Sequence, residues 1–246
     1  RIYRLCRDQA TIDRLKKEER TYRLPNSTYL LGMDLFEFVN HVIHNCEEEY
    51  ALICHDDVYL PENIQENVKN CVTQANTFFG RENWGVIGNA GVNIINKHPF
   101  AFISDPHTQM IPFNTKKPLF AESLDGNTLL LNINILRAKF VQLPPTLSGY
   151  HLYDLILCME CYKNDLVCGI SSHLYVKHLS PGNYESFLQA SNEEQFREYF
   201  KENFHNHTIT TINGPISIER GYVNLQKKEK PEKESYEEII TSRCLE

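Results

Sequence analysis

The run Tyr50-Ala51-Leu52-Ile53-Cys54 is short, almost continuously apolar, and stops abruptly at His55-Asp56-Asp57. Such a run suits a strand buried on both faces, the kind found in sheets covered by helices on either side. Sheets of that kind bind ligands beyond the carboxyl ends of their strands, so the acidic turn stands where a site belongs. The flanking pattern agrees. Residues 2–6 alternate and are rich in strand formers, and Asp8-Gln9-Ala10-Thr11 can cap a helix over 12–20. Residues 22–24 read as a second short strand, ended by the loop Pro25-Asn26-Ser27. Over 33–46, Leu35, Phe38, Val39, Val42 and Ile43 recur at helical spacing.

After the acidic turn, a helix is expected to start at Pro61 or Glu62 and run to 79, followed by a glycine-containing strand over 84–92. Residues 93–119 carry prolines, asparagines and histidines with weak periodicity, which predicts a loop or short hairpin beside the site. Strand character returns over 120–132 around Asp125-Gly126. A short helix over 133–140, a longer one over 153–163 and a strand over 167–176 follow. Residues 187–204 form an amphipathic helix in this reading, and 227–238 a solvated tail of mixed charge. Alternating strands and helices imply the α/β class, with a mainly parallel central sheet flanked by helices.

A chain of 246 residues with 41% hydrophobic content can bury the core of one such domain. Its net charge of −7 argues against a protein that coats nucleic acid or an anionic membrane, and an anionic ligand would need a cation or a local basic pocket. No apolar run is long enough to cross a bilayer, and Arg1-Ile2-Tyr3-Arg4 has no signal-peptide pattern, so a cytoplasmic location is expected, with peripheral membrane association left open. The absent initiator Met and the terminal Leu245-Glu246 suggest artificial ends. The cysteines (Cys6, Cys46, Cys54, Cys71, Cys158, Cys161, Cys168, Cys244) lie mostly in apolar periodic segments and read as reduced core thiols. Zinc at Cys158, Cys161 and Cys168 lacks a fourth ligand at a familiar spacing.

Adjacent carboxylates repel each other, and a divalent cation that accepts oxygen ligands is the simplest compensation. His55 adds a nitrogen ligand suited to manganese. Asp56 and Asp57 would equally serve as caps for the helix that follows Pro61.

The segment Asn40-His41-Val42-Ile43-His44-Asn45-Cys46, followed by Tyr50 through Pro61, resembles the helix, strand and metal motif of the inverting family-two glycosyltransferases, which have an A-type α/β fold. It is most similar to a bacterial surface-polysaccharide subgroup in which the aspartate-any-aspartate signature becomes histidine-any-aspartate. Trp84-Gly85-Val86-Ile87-Gly88, the stretch from Ala121 through Leu131, Gly149 through Leu155, and Lys177 through Gly182 resemble later family motifs in the same order.

The resemblance implies a metal site of Asp57, His55 and His178, holding Mn2+ or Mg2+. It implies nucleotide-sugar contacts at Asp8, Asn40, Asp56, Asp125 and Gly126, and a catalytic base at Asp154. The donor would be a nucleoside-diphosphate sugar, with uridine diphosphate the commonest carrier, and the acceptor a saccharide or other hydroxyl. The family's opening strand and helix have no counterpart before Ile2, so that element is expected to be missing. Residues 1–182 would form the catalytic domain, 183–226 a helical and β extension packed on it, and 227–246 a charged tail. The alternatives are a non-catalytic nucleotide-sugar-binding or assembly module of the same fold and, third, a metal-dependent phosphohydrolase of the histidine-aspartate type.

Overall fold

A computed structural model describes residues 1–104, 115, 117–180, 184–203, 208–219 and 222–225. In chain order the elements are β1 (Ile2–Leu5), α1 (Gln9–Thr21), β2 (Ser27–Leu30), α2 (Leu35–Asn45), β3 (Tyr50–Cys54), β4 (Val58–Tyr59) and α3 (Ile64–Phe78). There follow β5 (Trp84–Gly88), β6 (Ala90–Asn93), β7 (Pro99–Ala101), β8 (Ile103–Ser104), β9 (Leu119–Leu124), β10 (Thr128–Asn132), α4 (Ile133–Ala138) and α5 (Tyr153–Lys163). The remainder comprises β11 (Val167–Ile170), a single 3-10 turn (Ser172–Leu174), β12 (Val176–His178), α6 (Tyr184–Ser191), α7 (Glu194–Asn203), β13 (Thr208–Thr211), β14 (Gly214–Glu219) and β15 (Tyr222–Leu225).

A nine-stranded sheet in the order β2-β1-β3-β10-β5-β11-β9-β6-β7 forms the centre. Strands β2, β1, β3, β5, β11 and β6 run one way, and β10, β9 and β7 run against them. The sheet is therefore mixed rather than mainly parallel. The difference arises because β10, which leaves the Asp125-Gly126-Asn127 turn in the same direction as β9, lies antiparallel between β3 and β5. Strand β1 is bonded on both edges, to β2 and to β3.

Side chains leave opposite faces of a strand at successive residues, and the core divides accordingly. Ala51, Ile53, Leu129 and Leu131 join α2, α4, α5 and α7 on one face through Phe38, Val42, Leu136, Ile156 and Phe200. Leu52, Cys54 and Leu130 meet Ile64, Cys71 and Ala75 of α3 on the other. Burial on both faces explains why Tyr50–Cys54 reads as continuously apolar.

The sequence reading differs from the structure in several places. Residues 22–24 end α1 rather than form a strand: the Tyr22 and Leu24 amides donate to the Glu18 and Glu19 carbonyls at 2.9 and 2.8 Å, with Arg23 at φ 53. The strand begins beyond Pro25, at Ser27. The strand expected over 84–92 is two strands pivoting at Asn89, because β5 pairs with β10 and β11 whereas β6 pairs with β9 and β7. The 167–176 strand divides at the Ser172–Leu174 turn, where the Ser171 hydroxyl caps the His173 amide. The helix expected over 187–204 is α6 and α7, separated where the Asn192 and Glu193 amides close the end of α6 on Gln189 and Ala190. Within the segment expected as a loop or short hairpin over 93–119, β6 and β7 pair antiparallel across 94–98, while 105–114 and 116 lie outside the described residues, as does the tail over 227–238.

Cys6, Cys46, Cys54, Cys71, Cys158, Cys161 and Cys168 are buried free thiols, and Cys244 lies outside the described residues. No helix among the described residues is long and apolar enough to cross a membrane.

Candidate active site

Four segments converge beyond the carboxyl end of β3. They are the 55–57 turn, the 125–127 turn between β9 and β10, the start of α5, and the end of β12. The first two are joined when β10 pairs with β3 and the His55 amide donates to the Asn127 carbonyl at 3.0 Å. The last is brought in by the small β4-β12-β8 sheet, which sets His178 opposite Val58 and lets the Leu179 amide donate to the Asp57 carbonyl at 3.1 Å.

As a result, one ligand atom from each of His55, Asp57 and His178 lies within 4.8 Å of the others. His178 Nε2 is 3.3 Å from Asp57 Oδ1, a buried oxygen with no hydrogen bond. Burial pushes the His55 imidazole below its ordinary value against the pull of Asp57 and Asp125, favouring the neutral, ligating form. Burial alone would raise Asp57, but His178 beside it, with His55, holds its carboxyl below the usual range. Two imidazoles and an ionised carboxylate fit a divalent transition ion better than magnesium, which prefers oxygen donors.

Charged side chains of β1 and α1 brace this turn. Arg4, on β1 and only 1% exposed, donates through Nη1 to the His55 and Val58 carbonyls at 3.0 and 2.9 Å. Arg14 donates to the Asp56 carbonyl at 2.7 Å. With Leu179 on Asp57, every carbonyl from 55 to 58 has a donor. The buried Glu19 is the counter-charge of Arg4, at 3.7 Å, and accepts from the Ser27 amide and hydroxyl at 3.1 and 2.6 Å.

Asp154 occupies the first turn of α5, and its Oδ1 accepts from the Leu155 amide at 2.8 Å. Burial and the nearby Asp125 charge push its carboxyl up to about 7. Asp125 is itself held by the Asn127 amide and side chain at 3.1 and 2.6 Å. Gly126 is a required glycine, because a Cβ there would run into the Tyr153 hydroxyl.

A cleft of ≈ 670 Å³ opens in front of the 55–57 turn, lined in part by Arg7, Gly32, Asp34, Asp56, Asp57 and Tyr150. Asp34 caps α2 in a reciprocal box with Glu37 and accepts from the Gly149 amide at 2.8 Å, which ties the cleft's far wall to the loop before α5.

Of the residues singled out in the sequence, the fold brings His55, Asp57 and His178 together, with Gly126 joined to His55 through Tyr153 and Asp125 beside Asp154. Asp56 faces the cleft, clamped by Arg7 through both oxygens at 3.1 Å. Asp8 is exposed and spends its carboxylate on the Thr11 amide at 2.7 Å as the cap of α1. Asn40 uses both ends of its amide on the Leu143 backbone, at 2.9 and 2.8 Å, a link between α2 and the loop after α4.

Neither a family model nor a curated protein matches the sequence. Comparison of the fold with solved structures does find matches. A crystal structure of GalNAc-T7 with UDP, GalNAc and Mn2+ superposes with a TM-score of 0.48 at 7% identity, over 81% of this chain and 49% of that one. Residues 1–349 of Staphylococcus aureus TarS with UDP-GlcNAc superpose with a TM-score of 0.47 at 10% identity, over 82% of this chain and 58% of that one. The chain thus spans about half the length of these two solved chains, and 34% of a longer solved TarS chain.

The sequence reading did not single out Arg4, Arg7, Arg14 or Tyr153 as functional residues. A signal was present for Arg4, a charge inside an otherwise apolar strand, which demands a buried partner. The His55-Asp56 pair follows a strand rather than sitting among helices, so it lacks the setting that a histidine-aspartate phosphohydrolase requires.

Proposed function

We propose that the chain is a metal-assisted, inverting glycosyltransferase that uses a nucleoside-diphosphate sugar, with uridine diphosphate as the carrier. The observation that carries this reading is the joint placement of the His55, Asp57 and His178 ligand atoms, with His55 and Asp57 lining the cleft, and the raised Asp154 carboxyl beside Tyr153, whose hydroxyl meets His55. The ordered sequence resemblance supplies the reaction class.

In this reading residues 1–182 carry the catalysis, and 183–226 pack against them. Asp154 accepts the proton of the acceptor hydroxyl as that oxygen bonds to the anomeric carbon. The bond from the anomeric carbon to the phosphate oxygen breaks, its electron pair leaves with the nucleoside diphosphate, and attack from the opposite face inverts the centre. A carboxyl near 7 is matched to that proton transfer. His55, Asp57 and His178 would hold the cation, which would supply positive charge to offset that of the departing diphosphate. Asp125 and Gly126 border the sugar, and the cleft wall near Asp56 and Arg7 faces the nucleotide.

Calorimetric titration with uridine diphosphate, with and without Mn2+, tests the reading beside an Asp57→Ala variant. Mn2+-dependent binding lost in the variant, followed by transfer from a uridine-diphosphate sugar, supports it. Binding without turnover across donors marks a non-catalytic module, and no binding of any nucleoside diphosphate by folded protein overturns it.

A further inference from the structure

Tyr153 places its hydroxyl between two groups of the site, 2.6 Å from the Gly126 carbonyl oxygen and 2.9 Å from His55 Nε2. A carbonyl oxygen only accepts, so the single phenolic proton is committed to Gly126. The phenolic oxygen is then left as an acceptor, and the proton between it and His55 must sit on Nε2. A neutral imidazole carries one ring proton, so Nδ1 holds a bare lone pair.

The rest of His55 is accounted for as well. Its amide donates to Asn127 and its carbonyl accepts from Arg4, which leaves Nδ1 as the one polar atom of His55 without a hydrogen bond among the described residues. We propose that Tyr153 is a positioning residue that locks His55 in the Nε2–H tautomer and so presents Nδ1 as the ligand nitrogen of the His55, Asp57 and His178 cluster.

The fold invests in this contact. Leu152, immediately before Tyr153, is buried and held at φ 66, in the left-handed region that a bulky side chain avoids. Gly126 lacks a side chain at the point where the phenol approaches. A partner that fixes the tautomer of a ligating histidine commonly changes metal affinity on removal by about 10–100-fold.

The inference rests on the proposed metal-assisted function, and its test separates the two. Long-range 1H–15N correlation spectra distinguish protonated from bare ring nitrogens. They are recorded without metal at about pH 8, where histidines are mostly neutral, with the His55 signals assigned from a His55→Gln variant. The expected result is a protonated Nε2 and a bare Nδ1 in the wild type, a mixture of tautomers in Tyr153→Phe, and Mn2+ affinity weakened about 10–100-fold in that variant.

A protonated Nδ1 in the wild type overturns the proposal without recourse to any variant. An unchanged Nε2–H population in folded Tyr153→Phe overturns it too. If Tyr153→Phe does not fold, Gly126→Ala displaces the phenol by a different route and is read in the same way. A wild type that shows the lock and its loss on mutation, yet binds no Mn2+, supports the tautomer assignment and removes the metal-assisted reading instead.

Discussion

Arg4 reaches the His55 carbonyl at 3.0 Å from a strand interior, so the candidate metal turn hangs on a buried cation. Its charge is answered by Glu19, also buried, at 3.7 Å. Removing one member of such a pair strands the other. Arg4→Met is expected to destabilise the fold by about 3–5 kcal/mol, with Glu19→Gln in the same background recovering part of the loss. Urea unfolding of the single and double variants gives both numbers, and a cost under about 1 kcal/mol for Arg4→Met would show that the pair does not brace the turn.

Arg7 provides the contrast. Its side chain is 68% exposed although it clamps Asp56 through both oxygens. An exposed pair of this kind contributes about 0–1 kcal/mol. Arg7→Ala should therefore unfold at nearly the wild-type urea concentration while binding uridine diphosphate more weakly and with a shallower salt dependence. A large stability loss would contradict the exposed placement.

His178 and Asp57 hold each other at 3.3 Å, and His178 helps keep the Asp57 carboxyl low. His178→Ala should weaken Mn2+ binding by at least about tenfold, given the loss of one nitrogen ligand, as read by calorimetry. Retention of full affinity would remove His178 from the ligand set.

Asp154 makes the fold pH-dependent in a defined direction. Its folded carboxyl lies near 7, above the 3.8 of an ordinary aspartate, so between these values the folded chain keeps a proton that the unfolded chain releases. Its contribution to stability is therefore largest at low pH and declines as pH rises from about 4 to 7. Asp154→Asn should be more stable than wild type at about pH 8, by on the order of 4 kcal/mol, and no more stable at about pH 4. Transfer by the wild type should rise through the same titration as the base ionises, and be lost in the variant. Equal stability gains at both pH values would sink the assignment.

Much of the site's frame was legible because it is local. Tyr50–Cys54 and Tyr153–Lys163 agree with the structure at both ends, since an apolar run broken by an acidic turn and a long apolar helix leave few alternatives. The 55–57 turn needed only its position after a buried strand. Less legible was what depends on remote pairing. Nothing local announces that β10 runs against β3, or that Asn89 is a pivot rather than mid-strand, because both follow from which neighbour each edge finds. The role of Tyr153 was hidden for the same reason. An aromatic at a helix start reads as core until His55, 98 residues earlier, is seen to meet its hydroxyl.

The insertion of β10 between β3 and β5 fixes when the site can exist. During synthesis from the amino end, His55 and Asp57 emerge long before Tyr153 and His178. Until the segment around Leu130 is made, β3 and β5 each have a bare edge facing the other. Such edges invite pairing with other chains, so a ribosome stalled before β10 would release a half-sheet prone to stick to its neighbours. The site's assembly is thus a late event in the life of each molecule, and the long reach that unites its four segments makes a slow-folding chain the expected accompaniment.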